Sequence, residues 1–126
     1  MKPSILIVDD EPMTRNLLRL MLERAGFEIS EAEDGLKALL MMAEQSPDVL
    51  LLDVMMPNMD GLTVCEKLRA RPETAVLPII LLSARTSSEA VKAGMDAGAT
   101  KYLSKPINRK ELINTIHEVL QNIPAA

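Results

Sequence analysis

The sequence predicts one α/β domain in which a five-stranded parallel sheet of strand order 2-1-3-4-5 lies between two layers of helices. Three observations carry this reading. Strand-length and helix-length patterns alternate five times along the chain, as in open sheets built from right-handed crossovers. Three of the strand patterns are apolar without alternation, which requires cover on both faces. The second and fifth alternate instead, as edge strands do, and edges at those places favour this order over the other common doubly wound one.

The first strand is Ile5-Leu6-Ile7-Val8. Glu11-Pro12 opens the first helix, because proline fits the first helical position, where its missing N–H would have had no partner. Met13, Leu17, Met21 and Ala25 share one face and form its expected apolar stripe, and Gly26 stops it. Residues 27–32 alternate as the second strand, and Asp34 caps a second helix that runs to about Gln45 before Ser46-Pro47 breaks it. The third strand is Val49-Leu50-Leu51-Leu52, and the third helix follows Asp60-Gly61 and ends near Arg71-Pro72. Ile79-Ile80-Leu81-Leu82 is the fourth strand; a capping box, Thr86-Ser-Ser-Glu89, starts the fourth helix, which finishes around Gly98. The alternating residues 100–105 make the fifth strand. Asn108 and Glu111 cap the fifth helix, whose inward stripe is Leu112, Ile116, Val119 and Ile123, widened by Ile113 and Leu120.

The composition narrows the function classes. At 126 residues the chain is large enough to bury a core without staples, and 48% apolar with 25% charged residues is a globular balance. A formal net charge of −4 argues against a nucleic-acid surface, which needs concentrated Lys and Arg. No apolar run approaches the roughly 20 residues that span a bilayer, and Met1-Lys2-Pro3-Ser4 lacks a signal peptide's apolar stretch, so no membrane association and a cytoplasmic location are expected. The single cysteine, Cys65, excludes an intrachain disulfide and reads as a helix residue near the core.

The functional signal lies where the apolar runs stop. The first ends in Asp9-Asp10, the third in Asp53, the fourth in Ser83 and the fifth in Lys105. All are carboxyl ends of strands, outside which an open α/β sheet places its ligand crevice. Converging carboxylates repel, and a divalent cation is the simplest neutraliser. With oxygen donors alone at hand, a hard ion such as Mg²⁺ is favoured over zinc or copper. Mg²⁺ takes one or two carboxylates plus phosphate oxygens, which points to phosphoryl chemistry. A carboxylate can attack phosphorus to form an aspartyl phosphate, Lys105 can supply positive charge to the transferred group, and Ser83 a hydroxyl.

With these residues in place, the chain resembles the receiver domain of bacterial response regulators over about residues 3 to 122. The motifs are Val8-Asp-Asp-Glu11, Leu51-Leu-Asp-Val-Met-Met-Pro57 followed by Asp60-Gly61, Leu82-Ser-Ala84 and Tyr102-Leu-Ser-Lys-Pro106. The resemblance implies a flavodoxin-like (βα)5 fold filling residues 1–126 as one domain. It implies Asp53 as phosphoryl acceptor, Asp10 as a direct Mg²⁺ ligand, Asp9 as a ligand mainly through water, and the backbone carbonyl of Met55 as a further ligand, with Mn²⁺ as a substitute ion. Ser83 resembles the switch hydroxyl, Lys105 the cation that pairs with the phosphoryl group, Tyr102 the aromatic switch, and Lys105–Pro106 a bond that is cis in this family.

The implied donor is a histidine kinase or histidine phosphotransfer protein. The implied output is a changed surface around the fourth helix, fifth strand and fifth helix, read by a downstream protein or effector domain or by a second copy in a phosphorylation-linked dimer. Such a chain assists its own phosphorylation and dephosphorylation without being a metabolic enzyme. Two other readings stay open: a phosphorylation-independent interaction module of the same fold, and an aspartyl-nucleophile phosphohydrolase. The second lacks the acid such enzymes often carry two residues after the nucleophile, where Met55 stands. The chain stops soon after the fifth helix, as either a single-domain regulator or a receiver portion of a longer protein would.

Overall fold

The computed structural model describes residues 2–121. Its elements follow in the order β1 (Ser4–Val8), α1 (Pro12–Arg24), β2 (Glu28–Ala32), α2 (Gly35–Glu44), β3 (Val49–Asp53), α3 (Gly61–Arg69), a single 3₁₀ turn (Pro72–Thr74), β4 (Ile79–Ser83), α4 (Ser88–Asp96), β5 (Lys101–Ser104) and α5 (Arg109–Gln121). All strand pairs are parallel, in the order β2-β1-β3-β4-β5. The predicted sheet order is therefore the observed one.

The uninterrupted apolar strands divide their side chains between two cores, because successive residues point to opposite faces. Leu6, Val8, Leu50, Leu52, Ile79 and Leu81 pack with Ala38, Leu39 and Met42 of α2 and with Val64, Cys65 and Leu68 of α3. Ile5, Ile7, Val49, Leu51, Ile80 and Leu82 pack on the other side with Leu18 and Leu22 of α1 and with Leu112, Ile116 and Val119 of α5. Each such side chain contributes about 1.5–3 kcal/mol by leaving water.

The predicted caps at Asp34 and Asn108 form, accepting from Lys37 N–H and Glu111 N–H, and Glu11 and Asp60 cap their helices as well, accepting from Met13 N–H and Thr63 N–H. Gly26 and Gly98 take positive φ beyond α1 and α4, as helix-ending glycines do. Several expectations need correction. On α1, Met13 and Leu17 are 80% and 62% exposed, and the inward face carries Leu18 and Leu22. Met21 and Ala25 of the expected stripe do pack on that core; residues four apart drift by about 40° around the helix, so the stripe meets the buried face only at its C-terminal end. The cap of α4 is Ser87, which accepts from Ala90 N–H at 3.1 Å, in place of the box begun by Thr86. The third helix ends at Arg69, earlier than read, and Lys105 lies one residue beyond β5. Ile123 falls outside the described residues.

Candidate functional site

Sheet register assembles the site. Val8 pairs with Leu52 across β1 and β3, so the next residues, Asp9 and Asp53, come side by side at the strand ends, at the point where the strand order reverses. Asp53 pairs with Leu82, and Ser83 with Ser104, which puts the hydroxyl of β4 and the Lys105 that follows β5 at the same edge.

The acidic cluster is compact. One carboxylate oxygen each from Asp9, Asp10 and Asp53 lies within 4.8 Å of the others. Asp9 and Asp53 are buried, while Asp10 is exposed. Lys105 Nζ donates to Asp53 Oδ1 at 3.1 Å and to Asp9 Oδ2 at 3.3 Å. Asp9 Oδ1 also accepts the backbone N–H of Glu11 at 2.9 Å. Burial, and then the neighbouring Asp9 charge, push the Asp53 carboxyl above its ordinary range, against the opposing pull of Lys105 and of the Met55 backbone N–H. Burial acts to lower the Lys105 ammonium, yet Asp53 and Asp9 together outweigh it and hold the group above its usual value.

One lysine thus offsets part of a charge carried by three carboxylates. Oxygen donors, net negative charge and an exposed third carboxylate suit a hard divalent cation. These residues therefore fit Mg²⁺, with Asp9, Asp10 and Asp53 as the carboxylates that would hold it.

Around this centre the backbone is tightly folded. The N–H of Gly61 donates to the carbonyl of Val54 at 2.9 Å. A Cβ on Gly61 would run into the Asp53 carbonyl and come within 2.9 Å of Val54 Cα, so only glycine lets α3 start against the end of the acceptor strand. Ser83 is fully buried and its Oγ accepts the Arg85 N–H at 3.1 Å. Tyr102, on β5, is partly buried; its hydroxyl donates to the Arg85 carbonyl at 2.7 Å, and its ring lies where a Cβ on Gly94 would meet it at 2.8 Å. Met56 is buried and Met59 packs on the core, whereas Met55 remains half exposed beside the acceptor. The Lys105–Pro106 bond is cis. His117 is exposed, with its ring 5.4 Å from that of Phe27.

The response regulator receiver domain model matches residues 5–117. The chain belongs to that family. It is 45% identical over 121 residues to the response regulator MprA of Mycobacterium tuberculosis, covering 96% of this chain and 52% of that protein. It is 37% identical over 119 residues to the DNA-binding dual master transcriptional regulator RpaA of Synechocystis, covering 94% of this chain and 49% of RpaA. The receiver thus spans about half the length of these curated relatives. Among solved structures, Vibrio cholerae CheY4 aligns with a TM-score of 0.89 at 34% identity over 94% of this chain and 99% of that one. The receiver domain of a Pseudomonas aeruginosa sensor histidine kinase, with a magnesium ion coordinated in its active-site cleft, aligns with a TM-score of 0.90 at 28% identity, over 97% of this chain and 100% of that one.

Sequence reasoning missed the parts that hold these residues in place. Arg15 on α1, Glu31 on β2 and Gly94 on α4 were not singled out, and Gly61 was read as a helix start without the close approach to Asp53 that requires it. A signal for Arg15 existed: it shares the inward face of α1 with Leu18 and Leu22, one turn nearer the strand ends, where a charged side chain needs a partner.

Proposed function

We propose that this receiver accepts a phosphoryl group on Asp53 from a histidine kinase or histidine phosphotransfer protein, with Mg²⁺ held by Asp9, Asp10, Asp53 and the Met55 carbonyl. The observation that carries the reading is the convergence of the three carboxylates on Lys105 at the sheet's switch point. Asp53 is the one of the three that closes the central strand β3 and is buried in contact with Lys105. An Asp53 oxygen attacks phosphorus as the bond to the donor nitrogen or oxygen breaks, and the charge carried by the phosphoryl oxygens grows beside Lys105. Bound Mg²⁺, or Mn²⁺ in its place, would neutralise the remaining negative charge there.

The new group carries nearly two negative charges and more acceptor oxygens than a carboxylate. Ser83, whose Oγ accepts the Arg85 N–H, then has a strong acceptor toward which its own hydroxyl can donate, and the Arg85 backbone, bonded to both Ser83 and Tyr102, moves with it. The surface of α4, β5 and α5 is the expected readout, for a downstream protein, an effector domain or a second copy of the chain. The absence of a membrane-length apolar helix among the described residues is compatible with the cytoplasmic site where such donors present their histidines.

Incubation with Mg²⁺ and acetyl phosphate is expected to give an acid-stable, base-labile adduct. Asp53→Asn is expected to abolish it. Undiminished labelling of that variant would sink the assignment, and a partner bound equally well by it would favour a phosphorylation-independent module.

A further inference from the structure

The carboxylate that most needs positioning has the least holding it. Asp10 is exposed and makes no side-chain hydrogen bond among the described residues, while Asp9 and Asp53 are fixed by Lys105. Its direction must therefore come from the backbone of the β1–α1 turn. The Asp9 carbonyl and the Asp10 N–H lie in one peptide plane. Whatever fixes that carbonyl fixes where the Asp10 side chain starts.

Arg15 Nη1 donates to the Asp9 carbonyl at 2.8 Å. The same guanidinium sends its Nε to Glu31 Oε1 at 3.3 Å, and the other Glu31 oxygen accepts from Arg19 Nη1 at 2.7 Å. A carboxylate on the edge strand β2, steadied by a second arginine, thus orients the arginine that holds the turn. The Arg15 side chain is 17% exposed, so its fork is mostly shielded from competing water. The Asp9 N–H, in the preceding peptide, is meanwhile bound to the carbonyl of Ala32, the residue after Glu31, so one short stretch of β2 steadies both peptides that flank the Asp9 Cα.

We infer that Arg15, oriented by Glu31, is a positioning residue for the Mg²⁺ ligands, setting the peptide that aims Asp10. The inference rests on the proposed phosphoryl-acceptor reading. It makes a prediction opposite in sign to simple electrostatics. A positive charge near an acidic site disfavours a divalent cation, so deleting Arg15 should tighten Mg²⁺ binding if charge is all that matters. If Arg15 aims a ligand, deletion should weaken binding, by about tenfold on the scale of groups that orient metal ligands from outside the coordination shell. Partly exposed ion pairs contribute little to folding, so metal-free stability should change little.

The test is calorimetric titration of the whole unphosphorylated chain with MgCl₂, beside thermal unfolding in EDTA. Arg15→Gln and Arg15→Ala are expected to weaken Mg²⁺ about tenfold. Arg15→Lys should weaken it also, since a point charge cannot bridge the carbonyl and Glu31 as the planar fork does. Glu31→Gln should weaken it less, and Arg15→Ala with Glu31→Gln together no more than Arg15→Ala alone. With acetyl phosphate, the half-saturating Mg²⁺ concentration should rise in Arg15→Gln while the rate at saturating Mg²⁺ stays near wild type. Unchanged or tighter Mg²⁺ binding in folded Arg15→Gln would overturn the inference and leave the acceptor reading standing. Wild-type protein that took up no Mg²⁺ would overturn both.

Discussion

Asp53 is the residue at which function costs stability. Its carboxyl is held above its ordinary range by burial and by Asp9, so the folded state favours its protonated form more than the unfolded chain does. From about pH 4, the value for an exposed aspartate, up to the raised folded value, the folded protein binds more protons, and its stability falls as pH rises through that window. In EDTA at neutral pH, Asp53→Asn is expected to melt above wild type, and the gap should close as pH drops toward ~4. A lower melting point would mean that the bond to Lys105 outweighs the burial of charge. Asp9, Asp10, Asp53, Ser83 and Lys105 were legible because each is a polar residue ending an apolar strand, a pattern written in consecutive letters. Arg15, Glu31 and Gly94 were not, because each acts on a residue far along the chain, as when Arg15 meets a strand 16 positions away.

At the scale of elements, two glycines set how closely helices approach the site. Gly61 begins α3 against the carbonyl of Asp53, where any Cβ collides with backbone that cannot yield cheaply. Gly61→Ala is expected to destabilise the protein by about 3 kcal/mol in denaturant unfolding, and to slow phosphorylation because the backbone it displaces is the acceptor's own. Gly94 differs, since its nearest obstruction is the Tyr102 ring at 2.8 Å, followed by Leu81 Cδ1 at 3.0 Å. Crowding there should cost about 1–3 kcal/mol, offset in part by the better helix propensity of alanine. Tyr102→Leu should relieve much of it, so the double variant would be less destabilised than the two single changes summed. Strict additivity would show that the ring does not set this spacing. The elements themselves were legible from apolar runs, prolines and caps. The phase of α1 was not, because Met13, Leu17, Leu18, Leu20, Met21 and Leu22 put apolar groups around much of its circumference, and the choice between faces was made by packing on β1 and β2.

Over the whole molecule, the site and the core are one cooperative structure. Asp9 follows β1 and Asp53 ends β3, the central strand and its neighbour in the sheet, and the side chains of these two strands fill both cores. Cation binding at their ends should therefore report on global opening, and Cys65 offers a way to see it. That thiol is fully buried in α3, and burial raises it above its ordinary range, so in the folded state it is both inaccessible and protonated. A thiol reagent reaches it by way of structural opening. Mg²⁺ binds the folded form through carboxylates that the unfolded chain scatters, so at 100 times its dissociation constant it should stabilise the protein by about 2.7 kcal/mol and slow Cys65 labelling roughly 100-fold. Asp53→Ala, which lacks a ligand, should lose most of that protection, read as the ratio of its own labelling rates with and without Mg²⁺ so that any change in metal-free stability cancels. Labelling that Mg²⁺ leaves unchanged in wild type would mean that α3 detaches alone, with the acceptor strand and its ligands still in place, and the site would then be a smaller cooperative unit than the two shared cores imply.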